Sequence, residues 1–168
     1  VGVIFFSDKI EKFIPAKKGK THVLHIIREL LSFEPQSTGT DIAQALQYFA
    51  NAQKRHCTAF LISDFIDAGN MYQPLMIASN RHEVNAIQIY DRREAELPNV
   101  GLIKFHDAET GKDIWIDTAI TSVRNNYAQA WRDNQDTIQQ LFTRTGVDHV
   151  SIRTDEDYVK ALMHLFRC

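Results

Sequence analysis

Cysteine is scarce: Cys57 and Cys168 are the only two among 168 residues, too few for the disulfide framework of a secreted scaffold. A reducing, cytoplasmic setting is the expectation. Long apolar runs are missing as well. No stretch approaches the roughly 20 consecutive apolar residues that span a bilayer, and no signal peptide is visible, so no direct membrane insertion is expected. Nor is there an excess of basic residues: 19 Lys and Arg against 21 Asp and Glu leave a net charge of -2. A nucleic-acid or anionic-membrane binder would carry a clustered basic face. The one basic run, Lys17-Lys18-Gly19-Lys20, reads as a solvated turn, and no nucleic-acid partner is expected. An initiator methionine is lacking too. Val1-Gly2-Val3-Ile4-Phe5-Phe6 is already a core-strand pattern, as in an excised piece of a longer protein.

What is present is an alternation of apolar strands with amphipathic helices. Residues 1–6 form a strand that turns at Ser7-Asp8-Lys9 into a short antiparallel partner over 11–15. A helix over 21–32 follows, with Val23, Ile26, Ile27, Leu30 and Leu31 on one face. A second helix over 41–54 carries Ile42, Ala45, Leu46 and Phe49 at helical spacing. Thr58-Ala59-Phe60-Leu61-Ile62-Ser63 reads as a fully buried parallel strand. A helix near 70–80 and a strand over 83–90 come next. A hairpin over 100–106 and 112–118 is joined through Asp107-Ala108-Glu109-Thr110-Gly111. The helix over 122–144 keeps Val123, Tyr127, Ala130, Trp131, Ile138, Leu141 and Phe142 in register. A strand over 149–152 ends at Thr154, an N-cap with Asp157 three residues on. The last helix, over 155–167, would bury Val159, Leu162, Met163 and Phe166. This order calls for a mostly parallel, doubly wound sheet covered on both faces, in one domain large enough to bury a core. The strands at 1–6, 59–63, 84–90 and 150–152 are expected to run parallel.

The chemistry concentrates at two positions. Asp64 closes the 58–63 strand, so its carboxylate emerges at the carboxyl end of the sheet, where open α/β folds bind ligands. Ser37-Thr38-Gly39-Thr40 opens the preceding helix and brings a hydroxyl to the same rim. One hydroxyl and one carboxylate suit a hard divalent cation such as Mg²⁺, which takes oxygen ligands and keeps several waters. Thr40 by itself is simply explained as a helix N-cap, and Asp64 by itself as a turn or cap residue. A phosphate loop would compete for Gly39-Thr40, because helix N-termini attract anions. No Gly-Lys-Thr or glycine-rich repeat accompanies it, and Asp41 with Asp64 makes the rim acidic.

Other candidates are weaker. His22, His25 and Glu29 share a helical face, but no cysteine or further histidine joins them at ligand spacing, and a solvated face accounts for them. His56-Cys57 begins the Asp64 strand, the opposite end from a site in such folds, and Cys57 reads as a buried apolar filler. Trp115 and Trp131 read as core or interface anchors. Neither a Ser-His-Asp arrangement nor a carboxylate pair with distinct acid and base roles is present.

Gly39-Thr40-Asp41 followed by Ser63-Asp64 resembles the second half of the metal-ion-dependent adhesion site (MIDAS) of von Willebrand factor A domains. Thr40 matches that family's threonine and Asp64 its aspartate. The Asp-x-Ser-x-Ser element of the family's first strand is absent from these residues, as in a chain that begins at the second strand. Val3-Ile4-Phe5-Phe6-Ser7-Asp8, Pro15 and the Lys17-Lys18-Gly19-Lys20 run are similar to the bacterial branch called domain of unknown function 58. So are Asp91, Glu94, Leu97-Pro98, Gly101, Asp107, Glu109-Thr110-Gly111, Asp117, Val147-Asp148, Thr154-Asp155 and Asp157-Tyr158. The resemblance implies a von Willebrand A-like α/β fold with an extra hairpin and its first strand missing. It also implies a non-enzymatic protein-interaction module, often encoded beside MoxR-type AAA+ ATPases, with a partial adhesion site at Thr40 and Asp64.

Two function classes follow. In the first, an acidic side chain of a protein partner, such as a MoxR-type ATPase, completes the coordination of Mg²⁺, which this chain alone binds weakly or not at all. In the second, the chain is a Mg²⁺-dependent phosphotransfer or hydrolytic enzyme using Asp64. That class needs a nucleophile or general base within reach of substrate, and only Asp91, itself a turn residue, offers itself. The missing central strand implies that the strands at 1–6 and 59–63 close together, or that a second chain fills the gap as a homo-oligomer. Unpaired buried backbone groups would otherwise be costly.

Overall fold

The computed structural model describes residues 1–66, 70–106 and 113–166. In chain order the elements are β1 (Val3–Phe6), β2 (Ile10–Ile14), α1 (Lys20–Ser32), α2 (Ile42–Ala52), β3 (Thr58–Ser63), α3 (Tyr72–Arg81) and β4 (Glu83–Tyr90). They continue with α4 (Arg92–Ala95), β5 (Leu102–His106), β6 (Asp113–Asp117), α5 (Thr121–Thr145), β7 (Asp148–Arg153) and α6 (Tyr158–Leu165). The hairpin turn at 107–111, Arg167 at the end of the last expected helix, and Cys168 lie outside the described residues. The chain forms two compact units, one of Val1–Arg55 with Gly69–Ala78, the other of His56–Ala68 with Ser79–Cys168.

In the first unit β1 and β2 form an antiparallel pair, with Val3 opposite Ile14 and Phe5 opposite Lys12. Alternation turns Phe5 inward, where its ring stacks on Phe33 at 4.7 Å. Phe13 meets Tyr48 of α2 edge-on at 5.8 Å. α2 buries Ile42, Ala45, Leu46 and Ala50, the i, i+3, i+4, i+8 face that its periodicity marks. The Asp41 carboxylate caps this helix by accepting from the Gln44 N–H at 2.8 Å. The Asp41 N–H donates to the Ser7 carbonyl at 2.8 Å, tying the start of α2 to the end of β1.

The second unit is built on a parallel sheet in the order β3-β4-β7. Residues paired across a parallel ladder point to the same face, so Ser63, Gln88 and Ser151 form one row and Ile62, Ile87 and Val150 lie on the opposite face. α5 covers the first face, with Phe142 against His149 at 5.1 Å and Trp131 against Tyr90 at 5.2 Å. α6 runs along the second, where Phe166 meets Phe60 edge-on at 5.6 Å. Both faces carry a helix, as the alternation of elements requires. α5 ends at Gly146, whose φ of 64° is the left-handed C-cap conformation that glycine adopts without strain. β5 and β6 form the expected hairpin, Ile103 opposite Ile116, and Phe105 faces Tyr127 of α5 at 6.4 Å.

Several expectations are corrected. Among the described residues β1 pairs only with β2, antiparallel, and not with the strands of the parallel sheet. Among the described residues β3 pairs with β4 and no ladder joins it to β1, so of the two expected ways to close the gap the direct one is not formed. Being last in its sheet, β3 is not fully buried, and Phe60 and Ile62 are 42% and 54% exposed. α1 has the expected apolar stripe yet buries no residue. α6 buries Leu165, whereas Val159, Met163 and Phe166 are exposed. Its N-cap is Asp157, accepting from the Val159 N–H at 3.0 Å, and not Thr154. Trp115 on β6 faces solvent, which removes the core half of its expected role and leaves the interface half. Cys57 is half-buried, its Sγ 3.8 Å from His82 Nδ1, and burial raises its thiol pKa.

Candidate functional site

The carboxyl ends of the three parallel strands each deliver a polar side chain. Asp64 follows β3, Asp91 follows β4 and Thr154 follows β7. Asp91 caps α4 by accepting from the Arg93 N–H at 2.8 Å. Its second carboxylate oxygen accepts from the Thr154 hydroxyl at 3.3 Å, and the Thr154 N–H donates to the Tyr90 carbonyl at 3.0 Å. This rim is the place where an open parallel sheet offers groups to a ligand.

The turn carrying Asp64 is held from several sides. Asp64 Oδ1 accepts from the Ile66 N–H at 3.2 Å and from the Ser63 hydroxyl at 3.4 Å. Phe65 has a φ of 56°, the left-handed region that a side chain makes unfavourable, at a cost on the order of 1–3 kcal/mol. Burial opposes that cost. The Phe65 ring is fully buried and meets Phe142 edge-on at 5.3 Å. The Phe65 N–H donates to Ser63 Oγ at 3.1 Å, and its carbonyl accepts from Asn134 Nδ2 at 3.4 Å. With Phe65 turned inward, the neighbouring Asp64 is left exposed.

Glu94, on α4, belongs to the same acidic rim. Burial raises its carboxyl above the ordinary glutamate range, and the charges of Asp64 and Asp91 push the same way, while a backbone hydrogen bond from Asp91 opposes them. Tyr127 is raised chiefly by burial and further by Glu94. Its hydroxyl donates to the Arg93 carbonyl at 3.2 Å.

Thr40 stands in the first unit, exposed, on the stretch between Gly39 and the Asp41 cap. A Cβ added at Gly39 would lie 3.3 Å from the Asp8 Cβ, so this stretch runs close to the end of β1. Because Asp41 is the N-cap, the Thr40 hydroxyl is not consumed in capping α2. Thr40 lies in one unit, on a stretch near the end of β1, and Asp64 lies in the other, at the carboxyl end of β3. Their donors suit a hard cation in kind but not in number. They supply two oxygens, one of them neutral, where octahedral Mg²⁺ takes six ligands. Among the described residues no three His, Cys, Asp or Glu side chains gather closely enough to hold a metal ion. His25 and Glu29 on α1 form an exposed pair at 3.8 Å, Glu29 also pairing with Lys12, in keeping with a solvated face.

Sequence reasoning missed Glu94 as a rim residue, and it missed Gln88. Gln88 interrupts the apolar run of β4 and is 2% exposed. A polar side chain at such a position requires hydrogen-bond partners, and that signal was legible.

The chain matches the family described as "Protein of unknown function DUF58" over residues 1–137, and it belongs to that family. It is 31% identical over 163 residues to the uncharacterized proteins Mb1516 of Mycobacterium bovis and Rv1480 of Mycobacterium tuberculosis, covering 95% of this chain and 50% of each relative. It therefore spans half the length of these relatives. It is 28% identical over 158 residues to the uncharacterized protein MAV169 of Mycobacterium avium, with 92% of both chains covered. The crystal structure of BatB from Bacteroides thetaiotaomicron superposes with a TM-score of 0.53 at 14% identity, covering 98% of this chain and 75% of that one. The fold is thus a von Willebrand A-like α/β architecture with an additional hairpin. Among the described residues, no helix is long and apolar enough to cross a membrane.

Proposed function

We propose that this chain is a non-enzymatic protein-interaction module working in a reducing, cytoplasmic setting, with Asp64 as the residue its partner or a bridging cation engages. The observation that carries this reading is the turn after β3. A fully buried Phe65 in a left-handed conformation leaves the Asp64 carboxylate exposed at the strand end. Strain of that kind persists where the surroundings over-determine it, and it concentrates at functional sites. The family resemblance names Thr40, in the other unit, as a second oxygen ligand, and hydroxyl and carboxylate oxygens suit Mg²⁺ in kind. The remaining ligands come from outside these residues: from upstream serines and an aspartate in a longer chain, and from a Glu or Asp of the partner. A MoxR-type AAA+ ATPase is the partner that the family resemblance suggests, and a second copy of the chain is the other. A Mg²⁺-dependent phosphotransfer or hydrolytic use of Asp64 is the alternative; the rim does set hydroxyls against carboxylates, Thr154 against Asp91 and Ser63 against Asp64, and it is the family resemblance that favours the binding role.

Calorimetric Mg²⁺ titration of the full-length gene product, with pull-down of the ATPase in the presence and absence of chelator, tests this. Asp64→Ala is expected to abolish metal-dependent capture while leaving the fold intact, since an exposed carboxylate adds little packing. Capture that ignores both chelator and Asp64→Ala overturns the reading.

A further inference from the structure

Gln88 stands in the middle of the polar row Ser63–Gln88–Ser151 that crosses β3, β4 and β7 one residue short of the carboxyl rim. Its Nε2 donates to the main-chain carbonyl of Asp64 at 2.9 Å, and its Oε1 accepts from the Ser151 hydroxyl at 2.8 Å. The orientation of the amide follows from its partners. A main-chain carbonyl only accepts, so the NH₂ end must face Asp64, which leaves the oxygen for the hydroxyl. Ser63 at the other end of the row accepts from the Phe65 N–H and donates to Asp64 Oδ1. The turn is therefore gripped at the Asp64–Phe65 peptide, whose carbonyl is held by Gln88 and whose amide by Ser63, and at the Asp64 carboxylate, which Ser63 also holds. A glutamine 2% exposed inside an apolar strand has no packing advantage over leucine or methionine.

We propose that Gln88 is a positioning residue. By holding the Asp64 carbonyl, and itself oriented by Ser151, it sets the direction in which the Asp64 carboxylate leaves the sheet. This rests on the reading of Asp64 as the engaging residue. Loss of the clamp frees the turn to relax from the left-handed conformation at Phe65, and the carboxylate loses its fixed aim. Hydrogen bonds in a buried row are worth most when every member is satisfied, so Ser151 acts through Gln88 and not directly.

The test uses the full-length protein with Gln88→Met, which keeps side-chain length and removes both hydrogen bonds, and Ser151→Ala as a milder variant. Amide hydrogen exchange at Phe65 and Ile66 is followed beside that of Ala86 within β4, and Mg²⁺ alone is titrated by calorimetry. Gln88→Met is expected to speed Ile66 exchange at least tenfold with little change at Ala86, and to weaken Mg²⁺ binding about tenfold. Ser151→Ala is expected to move both in the same direction by less. In an Asp64→Ala background, Gln88→Met should add no further loss of Mg²⁺ binding. Exchange that rises equally at Ile66 and Ala86 would make Gln88 a merely structural residue and overturn the proposal. So would an Ile66 rate that does not change. Where the unsubstituted protein binds no Mg²⁺, the reading of the cation fails, and the exchange comparison alone decides whether Gln88 holds the turn.

Discussion

α1 and α2 are neighbours in sequence and alike in pattern, yet they do opposite things with their apolar faces. α2 buries Ile42, Ala45, Leu46 and Ala50 beneath a carboxylate cap at Asp41. α1 is two residues longer, begins at Gly19 without a side-chain cap, and buries none of its residues. Leu24, Ile27 and Leu30 face solvent, and Leu31 is 83% exposed. The hydrophobic period marks a face that can be buried, and it is silent on what does the burying. α2 is the helix whose approach carries Thr40, so the packed helix is the one that serves the candidate site.

The comparison is broken most forcefully in the core of α2. Leu46→Ala is expected to destabilise the protein by about 2–5 kcal/mol, the range for emptying a packed leucine site, read from urea unfolding midpoints. A loss below about 1 kcal/mol would mean that α2 is no better packed than α1. Next comes the cap. Asp41→Ala should cost about 1 kcal/mol and expose the Gln44 amide to faster exchange, while Gly19→Ala tests only the backbone, whose φ there is 107°. The smallest energetic effect belongs to α1, where Leu31→Gln should fall within about 0.5 kcal/mol of zero, as for surface positions generally. A loss comparable to that of Leu46→Ala would show that the α1 face is covered in solution.

The charge on α1 sharpens the contrast by pH. The Lys12 ammonium holds the Glu29 carboxyl below the ordinary glutamate range, with His25 and Arg28 assisting and desolvation opposing. A carboxyl lowered on folding contributes stability above its unfolded pKa and loses it as pH falls through the folded one. Lys12→Met is therefore expected to raise the Glu29 titration midpoint by NMR toward the unfolded value, with a salt dependence to match its exposure. A midpoint that does not move would assign the shift to the helix and not to Lys12.

Much of the fold was legible because its signals are local. The β1–β2 turn, the β5–β6 hairpin, the α2 face and the parallel pairing implied by strand–helix alternation all follow from short-range periodicity and turn chemistry. Burial was less legible. Phe60 and Ile62 read as core but flank the open edge of β3, and Val159, Met163 and Phe166 keep the right spacing on a helix that buries only Leu165. At the candidate site, Asp64 and Thr40 could be named from motif and position. Thr40 as an N-cap could not survive, because Asp41 competes one residue later with a side chain able to reach the Gln44 N–H.

By itself the sequence determined that strands and helices alternate, roughly where each lies, that β1 turns back into β2, and that a carboxylate ends β3, since each of these depends on residues a few positions apart. Only the tertiary structure decided that, among the described residues, β3 ends its sheet and that Gln88 on β4 joins the Asp64 carbonyl beyond β3 to Ser151 on β7. Those outcomes join residues tens of positions apart in sequence. Pairing and burial over such separations are settled by which surfaces meet, and no local pattern encodes that choice.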